Sequence, residues 1–545
     1  MVLDPLGPGP GVELDPVVPP FGARSYGRKV TVVEEPTAAP RWVKVLDQTR
    51  CIGCHACTTA CKSENEVPVG VTRTYVKSVD VGTFPTARRA FQVTRCNQCE
   101  DPPCVEACPT AAMYQRPDGI VDFDKRACIG CKACMAACPY DAIFINPEDH
   151  SAEKCNFCAH RLEVGLEPAC VSVCPTEAIL VGDLNDPTSK VARIVQREPV
   201  AVRRPEKETR PGLFYKGAHQ ATLDPLAARR PTGGLFAWAT QGGSGRPAAL
   251  SQHVTSGHPR HPNSSAAALL SYDVPHQAPW GWRVSLYTWT KGLAAGAYLV
   301  ALMLVLAGTI SWSSTLLRWV APSVSLAFLA VTGALLVWDL KHPMRFWMLF
   351  LRPQWRSWLV RGGVVIAAYG AVLVAQLFAG SVGSVEASKV LAGFGLPLAA
   401  LTAAYTAFLF AQAKARDLWQ NPMLAPHLIV QAVLVGSAVL ILAAEALSTH
   451  RALHDLTLAL GTAAGAHLAM LVGETLPHHA TAHAELAVDE MTLGRFAAFF
   501  WVGVVLVGVA VAAPWIGVAA APLALVGLLA HEHAYVQAGQ SVPLA

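Results

Sequence analysis

Every one of the sixteen cysteines in this 545-residue chain falls between Cys51 and Cys174, so the chain has a thiol-rich front and a thiol-free remainder. A disulfide scaffold normally follows a secretory leader. Met1 to Pro40 carries Pro, Gly and acidic residues but no basic n-region, apolar h-region or twin-arginine pair, so the thiols read as metal ligands in a reducing compartment. Apolar residues make up 52% and charged ones 15%, well under the ~25% charge of ordinary soluble domains, which puts much of the chain in lipid. A net charge of +4 is too thin for a nucleic-acid footprint, and no nucleic-acid partner is expected. The length also exceeds the ~250 to 300 residues at which single cores stop growing, which implies at least two parts.

The composition divides the chain further. Residues 1–41 form an extended Pro/Gly-rich arm, 42–186 a cysteine domain, 187–282 a basic Pro-rich linker that wraps that domain or skirts the membrane, 283–535 a membrane domain, and 536–545 a tail. Apolar runs of ~20 residues, enough to cross ~30 Å of hydrocarbon, occur at about 286–310, 321–340, 358–379, 390–411, 427–448, 454–474, 494–513 and 515–532. Eight spans put both ends of the domain on one face. That face holds Arg283, Lys341, Arg345, Arg352, Arg356, Arg361, Lys414, Arg416 and Arg495, against Arg318, Lys389 and Arg451 opposite. The positive-inside rule then places the cysteine domain in the cytoplasm, on the inner membrane.

The cysteines fall into four runs. Cys51, Cys54, Cys57 and Cys61 are spaced CxxCxxCxxxC, and Cys128, Cys131, Cys134 and Cys138 repeat that spacing. Cys96, Cys99, Cys104 and Cys108 are CxxCx4CxxxC, and Cys155, Cys158, Cys170 and Cys174 are CxxCx11CxxxC. In such a run the first three thiols wrap one iron–sulfur cube, while the fourth reaches a neighbouring cube. Three runs end in Cys-Pro, at Pro109, Pro139 and Pro175, as bacterial ferredoxins do; the first ends Cys61-Lys62. Zinc also takes four thiolates, so a zinc-stabilised membrane scaffold is the competing reading, but zinc does not need a third and fourth Cys at these intervals.

Residues 42–183 resemble the four-cluster electron-transfer subunit of the molybdopterin oxidoreductases, the iron–sulfur partner of dimethyl sulfoxide, polysulfide and formate enzymes. The resemblance implies an α+β, ferredoxin-like iron–sulfur domain with crossed ligation. Cys51, Cys54, Cys57 and Cys174 would hold one cluster and Cys155, Cys158, Cys170 and Cys61 the next. Cys96, Cys99, Cys104 and Cys138 would hold a third, and Cys128, Cys131, Cys134 and Cys108 a fourth, giving four [4Fe-4S]. It further implies that the first and fourth runs face a molybdenum or tungsten bis-pterin catalytic partner, and that the second and third face the membrane. The spans resemble an NrfD-like, polysulfide-reductase-type anchor through TKGLAAGAY at 290–298 and DLKHPMRF at 339–346. This implies an all-α membrane domain with a haem-free quinone or quinol site, here fused to its cluster partner.

Ionisable groups in hydrocarbon are costly and mark sites or pathways. By the span count Lys291, Asp339, His427 and Glu474 gather at the cluster-bearing face, with His467 about two turns deeper; these five are the candidate quinone residues. Haem ligation by His427 and His467 needs two imidazoles at one depth, which the count denies them, and no haem is expected. Glu445 falls nearer the opposite face, while His478, His479, His531 and His533 read as solvated interfacial residues. No nucleophile elbow, P-loop or dinucleotide fingerprint is present, so substrate chemistry is assigned to another chain. The sequence thus reads as a respiratory electron-transfer subunit that links a pterin enzyme to the quinone pool. An alternative-complex-III-like quinol-oxidising module is the other redox reading.

Overall fold

The computed structural model describes residues 39–230, 258, 261, 263–448 and 452–545. The arm expected at 1–41, apart from its last three residues, lies outside the described residues, as do the middle of the expected linker and Arg451.

Two small sheets frame the cysteine runs. β1 (Trp42–Asp47) is central in a four-stranded sheet of order β4-β1-β6-β5, with β4 (Ile179–Asp183), β5 (Val200–Ala201) and β6 (Leu213–Lys216). β1 pairs parallel with β6, Lys44 opposite Leu213, and antiparallel with β4, Leu46 opposite Ile179. A second sheet, β7-β2-β3, joins β2 (Thr74–Val81), β3 (Arg88–Arg95) and β7 (Leu269–Tyr272). Thiols fill the space a larger apolar core would occupy: Cys99, Cys104, Cys108, Cys128, Cys134 and Cys138 pack with Met113, Ile143 and Ile145.

The described part of 187–282, expected as a linker that wraps the cysteine domain or skirts the membrane, carries secondary structure of its own. It supplies β5, β6 and β7 and the amphipathic helix Lys190–Arg197, N-capped by Ser189. Strands of two to four residues are too short to carry a readable alternation, which is why the sequence shows only its Pro and Arg content there.

The membrane domain is helical: α1 (Trp282–Leu306), α2 (Ala321–Asp339), α3 (Trp358–Ser381), α4 (Val385–Gln412), α5 (Leu424–Ala446), α6 (Leu453–Thr475), α7 (Ala482–Thr492), α8 (Ala497–Ala510) and α9 (Ala520–Gly539). Among the described residues, seven helices are long and apolar enough to cross a membrane by themselves. The seventh expected span, 494–513, is instead the bent pair α7–α8, which turns by 70°. α1 is the axis, with 83% of its apolar window buried against 28% for α3, which faces outward. Where α1 crosses α5, Gly296 and Gly436 meet so closely that a Cβ on Gly296 would stand 1.8 Å from the Ala432 carbonyl oxygen. Small residues let helix backbones approach in this way. The tail is tied down: Arg203 of the cysteine-bearing part donates to Leu544 O at 2.8 Å, and Arg416 to Gln540 O and Val542 O. The start of α1 and the end of α9 therefore share the face that carries the cysteine domain.

Candidate functional site

All sixteen thiols are free, and twelve are buried. They sort themselves by electrostatic neighbourhood. Cys51 interacts with Cys174 and Cys54, and Cys57 with Cys51 and Cys174. Cys61 sits with Cys155, Cys158 and Cys170. Cys104 sits with Cys96, Cys99 and Cys138, and Cys134 with Cys108, Cys128 and Cys131. Each quartet takes its fourth thiol from a different run. Cys108, Cys128, Cys131 and Cys134 line one cavity together with Ile129, Lys132 and Ala152. Cross-contacts give the quartets an order: Cys57 and Cys61 both meet Cys170, Cys96 meets Cys155, and Cys134 meets Cys104.

The donor set fits iron–sulfur cubes. Burial pushes the Cys57 thiol up to about 11 and Cys61 up to about 12, so these sulfurs need a multivalent cation to ionise. Cys170 is the opposite case. Burial would raise it, but Arg95 and Lys44 bring it down to about 7. Arg95 Nη1 lies 2.9 Å from Cys170 Sγ and Lys44 Nζ 3.8 Å, and both side chains are buried. Backbone N–H groups of Met113, Ala152 and Ala178 donate to the sulfurs of Cys108, Cys128 and Cys174 at 3.2–3.4 Å, the kind of contact that tunes cluster potentials.

The Cys108/Cys128/Cys131/Cys134 quartet abuts the membrane domain. Gly130 and Ile129 carbonyls accept from the N–H groups of Lys341 and His342. Arg345 donates to Cys128 O at 3.0 Å, Trp280 Nε1 to Cys131 O at 3.2 Å, and Ser357 to Ala107 O at 2.9 Å. Lys132, next to Cys131, forms a largely buried ion pair with Asp339 at 2.8 Å. Gly130 is obligatory here: its φ is +69°, and a Cβ would stand 2.4 Å from Lys341 Cβ.

The five candidate quinone residues divide into two groups. Asp339 pairs with Lys132 at the interface and faces Tyr287. Below it, Lys291 is buried and donates to Ala403 O at 2.7 Å and Thr406 Oγ1 at 2.6 Å, while Tyr287 also hydrogen-bonds Thr406. In the second group, His427 Nδ1 meets Glu474 Oε1 at 2.9 Å and its Nε2 meets His467 Nδ1 at 2.7 Å. The imidazoles of His427 and His467, expected about two turns apart in depth, touch across α5 and α6, with ring centroids 4.8 Å apart. His531 corrects a second expectation. It is buried, with its ring 4.9 Å from that of His467, because α9 turns it into the bundle rather than toward solvent.

Sequence reasoning missed Tyr287, Glu532, Arg95 and Lys44 as site residues. Glu532 is buried, hydrogen-bonds Thr288 and interacts with Lys291. The triplet His531-Glu532-His533 inside an apolar span was the available signal, since a carboxylate there is costly. Glu445, by contrast, is exposed.

Comparison with known proteins gives two matches to described families. Residues 87–184 match the 4Fe-4S dicluster domain, and residues 271–543 match Polysulphide reductase, NrfD. The sequence is 44% identical over 197 residues to the B component of tetrathionate reductase from Salmonella typhimurium, covering 35% of this chain and 77% of that protein. It is 42% identical over 179 residues to the B component of polysulfide reductase from Wolinella succinogenes, covering 32% and 94%. To the thiosulfate reductase electron transfer subunit PhsB of Salmonella typhi it is 47% identical over 163 residues, covering 29% and 84%.

Proposed function

Since this protein belongs to the polysulphide reductase NrfD family and carries a 4Fe-4S dicluster domain in the same polypeptide, we propose that it links a separate catalytic subunit to the quinone pool through four [4Fe-4S] clusters. It is a multi-pass membrane protein and an iron–sulfur electron-transfer subunit. The relatives are components of reductases, which supports a catalytic partner of the molybdenum or tungsten bis-pterin type. The basic residues gathered at the cluster-bearing face support a cytoplasmic iron–sulfur domain at the inner membrane.

Four crossed quartets of Cys ligands would hold the clusters, as the thiol neighbourhoods support. A cube of this kind, when bound, accepts and releases one electron at a time. The chain's own residues do the rest. Arg95 and Lys44 offset negative charge at Cys170, and Lys132 and Asp339 fix the last quartet to the bundle. Tyr287, Lys291 and Asp339 form a polar strip where a quinone head group would be held and its oxygens hydrogen-bonded. His427, Glu474 and His467 serve proton exchange at the same site.

The observation that carries this reading is the Lys132–Asp339 pair, which joins a residue beside Cys131 to an intramembrane carboxylate. Purified protein is expected to contain roughly sixteen irons with matching acid-labile sulfide, the content of four cubes; stoichiometric zinc without sulfide overturns the redox reading. Asp339→Asn and Tyr287→Phe are each expected to abolish quinone-linked turnover while dithionite still reduces every cluster. Unchanged quinone turnover in both removes the strip from the site.

A further inference from the structure

A buried layer of ionisable side chains crosses the bundle at one depth. Lys291 stands nine residues from the start of α1, and His467 and His531 eight residues from the ends of α6 and α9. At 1.5 Å per residue these are about 12 to 14 Å below the cluster-bearing face. Among the described residues, one line of hydrogen bonds connects that layer with the rim on the α5–α6 side: Glu474, tenth-exposed near the end of α6, then His427, then His467.

The ring connectivity is directional. With Glu474 ionised, His427 donates from Nδ1 and leaves Nε2 to accept the Nδ1–H of His467. His467 Nε2 is then the bare acceptor, and it has no hydrogen-bond partner. His531, in edge contact with that ring, also keeps its Nδ1 without a partner. Its chain neighbour Glu532 has an unpartnered Oε2 and faces Lys291. Each buried polar atom left unsatisfied carries the full cost of its lost hydration. Packing alone gives no reason to collect three of them in one layer.

We propose that Glu474, His427, His467, His531 and Glu532 form a proton relay between the cluster-bearing face and the quinone strip at Lys291 and Tyr287. Once both rings have tautomerised to their Nε2–H forms, a proton that reaches Glu474 passes to His427 Nδ1, the His427 Nε2 proton moves on to His467 Nδ1, and the His467 Nε2 proton is released toward His531, which returns both rings to the Nδ1–H forms above. The reverse order serves quinol oxidation. Two electrons from the iron–sulfur side and two protons by this route convert one quinone to quinol, so charge and atoms balance. His531 and Glu532 thereby become positioning residues for proton delivery, and Glu474 its mouth. The inference rests on the quinone reading above.

The test uses the full chain in lipid nanodiscs, with clusters pre-reduced and a soluble menaquinone analogue added. Quinol formation and proton uptake, read by a pH dye, are followed in single turnover. His467→Asn and His531→Asn are expected to slow both at least tenfold and to raise the solvent deuterium effect. Added imidazole should restore part of the rate, while cluster resonance signals and quinone affinity stay at wild-type values. Glu474→Gln at the rim tests the same path if an interior variant loses its clusters. Wild-type rates in all variants that retain clusters overturn the relay alone. A wild type that forms no quinol overturns the quinone reading together with it.

Discussion

Arg95 reaches Cys170 with one nitrogen and leaves Nε and Nη2 without hydrogen-bond partners among the buried thiols. A fixed cation beside a cluster stabilises its reduced, more negative form, so the Cys61/Cys155/Cys158/Cys170 quartet should hold the most oxidising station. Arg95→Met is expected to lower that cluster's reduction equilibrium constant about tenfold, ~59 mV for a one-electron couple, with the other signals unmoved in a redox titration followed by electron paramagnetic resonance. His276 makes a second argument at this scale. It bridges Asp141 at 2.7 Å and Asp273 at 3.1 Å; burial opposes its charge, but the two carboxylates raise it to about 9. Its contribution is complete below its ordinary 6.5 and lost as pH rises through about 9. Both aspartates are held below their ordinary 3.8 by His276 against the cost of burial, so their share is lost only in acid. Stability from this triad is thus greatest between about 4 and 6.5. On the order of 3 kcal/mol is at stake, and His276→Asn should flatten the alkaline limb of a thermal-melting profile.

The motif Cys-Ile-Gly-Cys occurs twice, and its two glycines do different jobs. Gly53 turns its α-carbon toward Phe91, inside the cysteine domain, whereas Gly130 meets Lys341 on the connection that follows α2. Both have positive φ, so alanine at either costs ~1 kcal/mol or more in backbone strain. Gly130→Ala should in addition prise the last quartet from the bundle and slow quinone reduction at least tenfold with all clusters present. Gly53→Ala should alter only the thermal stability of the domain. The thiol runs and most spans were legible because they are properties of short windows: ligand spacing for one, length and hydropathy for the other. The bend between α7 and α8 was not, since hydropathy over 494–513 is blind to direction. Neither was the union of His427 with His467, which depends on the stagger of α5 against α6.

At the scale of the whole molecule, the two halves are joined by charge as well as by backbone. Lys132 and Asp339 are each about nine-tenths buried, so removing one partner strands the other. Lys132→Met is expected to weaken docking by ~3 to 5 kcal/mol, and Lys132→Met with Asp339→Leu to recover much of it, measured by protection of the interface from limited proteolysis. A further clasp holds Arg204 and Lys207 on Asp417, where Thr481 also donates. Neither Asp339 nor Asp417 lies near its partners in the chain, which is why the sequence is silent about these contacts.

The two sheets around the thiols also set an order of manufacture. β6 and β7 come after the last cysteine, and Tyr272, which closes the second sheet, stands just ahead of Trp282, where α1 begins. A ribosome therefore finishes the metal-binding head only as the first membrane helix is about to leave the exit tunnel. Cofactor loading has to keep pace with insertion, and a gene fragment stopping at residue 186 should yield an incomplete head that retains little iron.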